Sequence, residues 1–243
     1  MSKPGADLLR NMLSRNHELA EKTLRHDFPL AQFEVLQSWQ LERLTVTFRD
    51  LYEQEGYSDA VEFFVSDLYG GLDFRERDQE MGRVMPIMVR FLPDKALVAL
   101  AEAFELQAIS LEYDFLMAEH MVQQGVCELD MAAYCRVYLA CSDRAGRERQ
   151  IQLFPKIGRD LTKLVHKSIV NYLLRMLRGP AHAAGFGHLQ EFLETGLASF
   201  RALEDPDYFV ETIYHREWQS MERLFAGDPD PFRLLGKCSQ NAP

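Results

Sequence analysis

Apolar residues recur at helical spacing over most of the chain, and the pattern is clearest between residues 97 and 122. There they follow one another at alternating steps of four and three residues, which places them on one face of an α-helix. Large and small side chains alternate along this face, which favours close packing of neighbouring helices. We call this face the seam; it consists of Leu97, Ala101, Phe104, Ala108, Leu111, Phe115, Ala118 and Val122. The seam predicts a long buried helix that ends near Gly125.

The rest of the chain also predicts helices, separated by glycine and proline residues. No run of alternating β-branched residues is present, which argues against strands. Pro86 and Pro155 lie inside two predicted helices and are expected to kink or divide them. Apart from the helix with the seam, the predicted helices cover about residues 6–26, 30–54, 58–69, 74–91, 130–141, 143–178, 187–203 and 206–227. The sequence therefore predicts an all-α protein, a compact bundle of about nine helices.

Several predicted helices begin with a recognisable capping residue. Ser58, Asp130 and Asp205 are expected N-caps, and Pro206 suits the first turn of the last helix. No proline-rich or serine-rich linker divides the chain, so residues 1–227 are predicted to form a single all-helical domain, the alternative being two tightly docked halves. Residues 228–243 are predicted to be a loosely ordered tail.

Composition excludes several classes of protein. The chain has 243 residues, of which 47% are hydrophobic and 26% charged, which is typical of a globular protein with a sizeable core. No apolar run is long enough to span a membrane, and Met1 to Asp7 do not resemble a secretory signal. The four cysteines form no CxxC pair, which favours reduced thiols in the cytoplasm.

Charge is distributed unevenly along this acidic chain. The net charge of −10 argues against a general nucleic-acid-binding protein. Residues 144–178, however, contain nine basic and two acidic side chains. Spacing places four of the basic residues on one helix face that could bind phosphates or an acidic partner, namely Lys156, Arg159, Lys163 and Lys167. The alternative is a solvated face, or one that docks against the acidic remainder of the chain, with Asp160 forming ordinary ion pairs.

No motif for catalysis or metal binding stands out. Metal sites in helical bundles usually need repeated Glu-x-x-His elements on different helices, and none is present. Glu105, Glu112 and Glu119 share one stripe away from the seam and are expected to be solvated. We therefore predict no metal ligands and no catalytic residues.

The segment from Phe63 to Tyr69 is apolar on most of its helical circumference. It reads FFVSDLY and resembles the signature string of the FFLEELY motif family, a group of uncharacterised bacterial proteins. This chain departs from that string at Val65, Ser66 and Asp67. The resemblance extends over about residues 35–120 and implies a bacterial cytoplasmic protein without an assigned activity. The segment could fill the core or line a pocket.

A second resemblance concerns haem. His17 and Glu21 stand at i and i+4 on the first predicted helix, a pattern similar to the proximal-histidine helix of haem oxygenases. The segment from Tyr134 to Gly146 resembles the stretch that leads to the distal helix in those enzymes, although only Gly146 remains of its glycine-rich run. This resemblance implies haem or another cofactor bound through His17, with oxygenase activity as a further possibility.

Three functions follow as hypotheses. The first is non-enzymatic interaction or regulation, with the basic face as a site for an anionic partner, because no convergent polar constellation is visible in the sequence. The second is haem or cofactor binding through His17. The third is a small apolar ligand held between helices, which needs a pocket lined by Phe63, Phe64, Tyr69 and their neighbours.

Overall fold

A computed structural model confirms the all-α fold. It describes residues 3–68, 85–86, 88–167, 170, 172, 175 and 187–233, and within these ranges every regular element is a helix. A π-helix, Phe63–Leu68, directly continues the fourth α-helix. The α-helices in chain order are α1 (Pro4–Lys22), α2 (Leu30–Thr47), α3 (Arg49–Tyr52), α4 (Ser58–Glu62), α5 (Asp94–Gln124), α6 (Met131–Cys141), α7 (Arg144–Val165), α8 (Gly187–Ala202) and α9 (Pro206–Phe225).

The helix ends follow the capping residues closely, with one exception. Asp130 accepts a hydrogen bond from the Ala133 amide (2.7 Å), and Asp205 accepts one from the Tyr208 amide (2.9 Å). Gly125 adopts a left-handed φ of 66° and ends α5 as predicted. The prediction for Ser58 is wrong, because α4 begins at Ser58 itself without a side-chain cap.

Two helix predictions are corrected. The second helix ends at Thr47, because Phe48 leaves the helical conformation (φ −110°, ψ 17°) before the short α3 begins. In contrast, α7 runs through Pro155 without interruption. A proline removes one helical hydrogen bond, and close packing of α7 on α5 and α9 keeps the helix continuous. The predicted helix at 74–91 and the end of the predicted 143–178 helix lie largely outside the described residues.

The seam of α5 packs on α1 and α2, as its pattern predicts. Leu97 and Ala101 are fully buried against Leu9 and Leu13 of α1. Further along, Phe115 meets Phe28 and Phe33 edge to face, with ring centroids 5.0 and 5.4 Å away. Val122 is wrongly predicted to be buried, since 51% of it is exposed. The reason is that α1 ends at Lys22, which pairs with Glu119, so Val122 lies beyond the end of α1.

The beginning of α1 lies unusually close to the beginning of α5. The Gly5 amide donates a hydrogen bond to Asp94 Oδ1 (2.9 Å). A Cβ atom at Gly5 would stand 2.7 Å from the Asp94 carbonyl oxygen, so no larger residue fits without a shift of the backbone. The two helices therefore meet without free space at this end.

Ion pairs line the acidic stripe of α5. Its carboxylates are partly exposed and bind cations of the neighbouring helices rather than only water. The pairs are Glu105 with Arg149 (2.9 Å), Glu112 with Arg15 (2.6 Å) and Glu119 with Lys22 (2.8 Å). Such half-exposed pairs each contribute at most about 1 kcal/mol, so they orient α1 and α7 more than they stabilise them.

A second core region lies on the other side of α5. The π-helix, α7, α8 and α9 contribute Phe64, Phe154, Phe200 and Phe209 to it, and all four are buried. Residue Phe232, in the predicted tail, packs against Trp39 with ring centroids 5.9 Å apart. This region differs from the α1 side, because it surrounds free space.

Candidate binding site

A cavity of about 220 Å³ lies between α5 and the helices α7, α8 and α9. The helices α2 and α6 and the π-helix complete its walls in the described part of the chain. From α5 it receives Leu100, Leu106 and Phe104, the last of which also belongs to the seam. It also receives small and polar side chains spaced by three or four residues, on a face different from the seam. We call this face the cavity stripe; it consists of Ala99, Ala103, Gln107, Ser110 and Asp114.

Aromatic side chains form much of the apolar wall. Phe63 and Phe64 of the π-helix both line the cavity while remaining 5% and 3% exposed. The Phe64 ring meets Phe154 edge to face, with centroids 5.0 Å apart. A Cβ atom at Gly196 would lie 2.5 Å from the Phe63 ring, so this glycine lets α8 approach the π-helix. The start of the Phe63–Tyr69 segment therefore lines a pocket as well as filling the core; Tyr69 is outside the described residues.

Asp114 lies at the polar end of the cavity. Only 6% of this residue is exposed, and its carboxyl accepts hydrogen bonds from Gln40 Nε2 (3.0 Å) and Gln37 Nε2 (3.2 Å). Burial raises the pKa of Asp114, although the two amides and the charge of Arg147 act in the opposite direction. The surroundings thus favour the neutral acid more than water does.

Arg147 brings a positive charge to the same end. It is 6% exposed, and its guanidinium carbon lies 3.8 Å from the centroid of the Tyr113 ring and 4.4 Å from that of Tyr138. This position between two aromatic faces fixes the plane of the guanidinium. Its nitrogens donate to neutral groups, namely Ser142 Oγ (2.9 Å), Gln150 Oε1 (2.9 Å) and Met117 Sδ (3.5 Å).

The first turn of α7 explains how Arg147 is held. Asp143 caps this turn by accepting a hydrogen bond from the Gly146 amide (2.7 Å), and it also accepts one from the Tyr113 hydroxyl (2.7 Å). A Cβ atom at Gly146 would collide with that hydroxyl, so glycine is required here. Burial, together with the bond to Asp143, raises the pKa of Tyr113 to about 12. The ring of Tyr113 is thereby anchored beneath the guanidinium.

A partly buried ion pair also borders the cavity. Arg43 of α2 and Glu217 of α9 are 2.5 Å apart, with side chains 10% and 16% exposed. Burial raises the pKa of the neighbouring Tyr134 and Tyr138, which therefore remain neutral phenols at physiological pH. The polar end thus combines one closed ion pair with neutral donors and acceptors, in addition to Asp114 and Arg147.

The basic face predicted on α7 does not line this cavity. Its side chains are exposed at the surface, and three of them pair with carboxylates of the same chain. These pairs are Lys156 with Glu102 (2.5 Å), Arg159 with Glu211 (3.1 Å) and Lys163 with Asp160 (3.1 Å). Lys167 is exposed just after the end of α7. The pairing with Glu102 and Glu211 matches the alternative of docking against acidic parts of the chain.

His17 lies on the exposed face of α1, and no residue of α1 lines the cavity. Of the two features quoted for the haem oxygenase resemblance, Tyr134 lines the cavity and His17 does not. Within the described residues, no group of three His, Cys, Asp or Glu side chains is arranged to hold a metal ion.

Sequence reasoning missed the polar residues of this site. Asp114 and Gln150 are residue types that usually occupy solvent-exposed helix positions. Arg147 belongs to residues 144–178, where basic side chains predominate. A signal was present in the cavity stripe, where small and polar residues repeat at helical spacing beside the seam. That spacing is also what a solvent-exposed face shows, so only the three-dimensional structure separates the two cases.

Comparison with known proteins identifies a family without an assigned function. A model for a domain of unknown function, DUF8198, matches residues 20–231. No curated protein and no solved structure is significantly similar to the chain. No helix in the described ranges is both long and apolar enough to cross a membrane. Because the match covers most of the chain, including the described residues that line the cavity except Phe232, the protein belongs to the family of the domain of unknown function DUF8198.

Proposed function

We propose that this protein binds a small, largely apolar molecule in the cavity beside α5. The cavity itself carries the proposal: about 220 Å³ of space has aromatic and aliphatic walls and a few buried polar groups at one end. Concave sites of this composition are typical of small-molecule binding. Cavities for drug-sized ligands usually measure about 300–1,000 Å³, so the expected ligand is smaller than a typical drug molecule.

A binding role without catalysis fits the polar groups at the cavity. Asp114 already accepts two amide hydrogen bonds, and Arg43 and Glu217 are paired with each other. Covalent catalysis would need a nucleophile within hydrogen-bonding reach of a base, and the described lining supplies no such pair. A ligand that occupies the space between the helices stabilises the folded state. This ligand-dependent stability connects binding to the regulatory role predicted from the sequence.

The other hypotheses remain predictions without a specific supporting observation. An anionic partner on the basic face of α7 would compete with the carboxylates that already pair with Lys156, Arg159 and Lys163. Haem binding through His17 would use an exposed residue outside the cavity. Three further predictions rest on the sequence alone: a bacterial origin, membership of the FFLEELY motif family and a cytoplasmic location.

The proposal is tested with the neutral fluorescent probe N-phenyl-1-naphthylamine, whose emission increases in an apolar site. We expect saturable binding to the native protein and its loss in Ala103→Phe, because a phenyl ring at position 103 fills the cavity. Ala99→Leu fills the same space with a smaller side chain and should weaken binding less. Thermal unfolding confirms that each variant is folded.

Ala31→Phe is the matched control, because Ala31 is an exposed alanine of α2 that does not border the cavity. It adds the same phenyl ring at the surface and should leave the binding curve unchanged. The proposal is contradicted if the native protein fails to bind the probe, or if folded Ala103→Phe and Ala99→Leu both bind it as well as Ala31→Phe does.

A further inference from the structure

We infer that the ligand of this cavity is a monocarboxylic acid with an apolar body, and that Arg147 binds its carboxylate. This inference rests on the proposed binding function and specifies the chemistry of the ligand. It is based on the placement of one buried cation, which forms no direct ion pair with the described residues, at the polar end of a largely apolar cavity.

Arg147 forms no direct ion pair with the described residues, although the carboxyls of Asp114 and Asp143 lie near enough to act on it electrostatically. Its hydrogen-bond acceptors are the hydroxyl of Ser142, the amide oxygen of Gln150 and the sulfur of Met117, all of which are neutral. A buried cation without a directly bonded anion is only partly compensated for its desolvation. A ligand carboxylate would supply that direct partner.

The guanidinium also retains donors for such a ligand. It has five N–H groups, of which three are used for the three neutral acceptors. The remaining two belong to the terminal nitrogens, which can approach a carboxylate as a fork. Stacking on Tyr113 and Tyr138 holds the plane of this fork before any ligand arrives. The binding group is therefore preorganised.

The other ionisable groups at this end do not compete for an anionic ligand. Arg43 and Glu217 neutralise each other at 2.5 Å. Asp114 accepts hydrogen bonds from the amides of Gln40 and Gln37, and burial raises its pKa against the opposing charge of Arg147, which weakens its competition for that cation. The ionisable lining groups at the polar end are Arg43, Asp114, Tyr134, Tyr138, Arg147 and Glu217. Arg147 is the one cation among them without a direct ion pair, which suits a monoanion better than a doubly charged phosphate.

The remaining walls define the rest of the ligand. Apart from a few neutral polar groups such as Ser110, they consist of aromatic and aliphatic side chains, including Phe64, Phe104, Phe154 and Phe200. These apolar side chains have no hydrogen-bonding capacity, so a ligand body with several polar substituents would lose its hydration without replacement. A short fatty acid or an aromatic acid has the required combination of one charged end and an apolar body.

The test uses three probes that share one alkyl chain: decanoate, decanol and decylamine. Their affinities are measured by displacement of N-phenyl-1-naphthylamine and by isothermal titration calorimetry. We expect decanoate to bind at least about tenfold more tightly than decanol, the usual effect of a charge-assisted hydrogen-bonded pair. Decylamine should be the weakest, since its charge repels Arg147.

Arg147→Met removes the charge and keeps an unbranched apolar chain. It should reduce the affinity for decanoate to that for decanol in the same variant, so that the ratio of the two affinities falls from about tenfold to about one. Arg147→Lys keeps the charge but loses the fork, so an intermediate affinity for decanoate is expected. If Arg147→Met does not fold, the three probes on the native protein still decide the question.

The outcomes separate this inference from the proposed function. If the neutral probe binds but decanoate has no advantage over decanol, the carboxylate inference is overturned and the proposed function stands. A preference for decylamine also overturns it, because Asp114 would then be the charged partner. If no probe binds the native protein, both the inference and the proposed function fail.

Discussion

Helix α5 presents two different faces to the interior. The seam carries alternating large and small apolar residues and packs against α1 and α2. The cavity stripe carries small and polar residues and borders free space. Ala101 of the seam and Ala103 of the cavity stripe are only two residues apart, yet one is fully buried among side chains and the other adjoins the cavity.

The difference shows what separates a core face from a binding face. Both faces follow helical spacing, so periodicity alone does not distinguish them. On the seam, a large side chain of the neighbouring helix packs against each small residue, so no gap remains. On the cavity stripe, free space remains beside Ala99 and Ala103. Towards the polar end, Ser110 accepts a hydrogen bond from Gln150 of α7, and Asp114 is partnered by amides.

The largest effect is expected from introducing the same residue on each face. Ala101→Phe should reduce the free energy of unfolding by about 1–3 kcal/mol or more, because a phenyl ring has no room in the packed seam. Ala103→Phe should change it by less than about 1 kcal/mol, because the ring enters the cavity. Urea unfolding of both variants measures the difference. Equal destabilisation would show that the two faces do not differ in packing.

A substitution at Asp114 tests the polar end of the cavity stripe, because it changes how the free energy of unfolding depends on pH. Because burial raises the folded-state pKa above the unfolded value, the folded protein binds the proton more strongly. The contribution of Asp114 to stability is therefore greatest below the unfolded pKa, and it decreases as the pH rises towards the folded pKa. Asp114→Asn removes this titration, so the stability of the native protein relative to the variant should fall as the pH rises.

Urea unfolding at about pH 5 and about pH 8 measures this relative stability. Carboxyls with a lowered pKa contribute the opposite slope, but they do so in both proteins and cancel in the difference; they are Asp27, Asp50, Asp143 and Asp228. A relative stability that rises with pH would contradict the raised pKa of Asp114.

The smallest effect is expected at the acidic stripe between the two faces. Glu119→Gln removes the pair with Lys22, whose side chain is 38% exposed while that of Glu119 is 40% exposed. The loss should be at most about 0.5 kcal/mol and should shrink at high salt. Glu128→Gln, at an exposed residue after α5, is the matched control. A loss above about 1 kcal/mol would mean that these pairs stabilise the packing of α1 as much as the seam does.

Much of the fold could be predicted from local signals. The seam, the caps at Asp130 and Asp205 and the end at Gly125 depend on residues close together in sequence, and the structure confirms them. The errors arise where tertiary packing decides. Pro155 stays within a continuous helix because its neighbours hold it, and Val122 is exposed because α1 has already ended.

The candidate site could be predicted only in part. Phe63 and Phe64 were candidates for a pocket, because a segment that is apolar on several sides must contact several elements. The polar end was not predictable, because Arg43, Asp114, Arg147 and Glu217 come from four helices separated by long stretches of sequence. Nothing in the local pattern of any one helix indicates that these groups meet.

The central claim, that the alanines of the cavity stripe and not those of the seam border the bound ligand, is tested most directly by NMR with methyl-labelled alanine. Addition of N-phenyl-1-naphthylamine should shift the methyl resonances of Ala99 and Ala103 through the ring current of the bound probe. The methyl resonances of Ala101 and Ala108, on the seam of the same helix, should stay in place. Shifts confined to the seam alanines, or no shift at any of the four, would contradict the account.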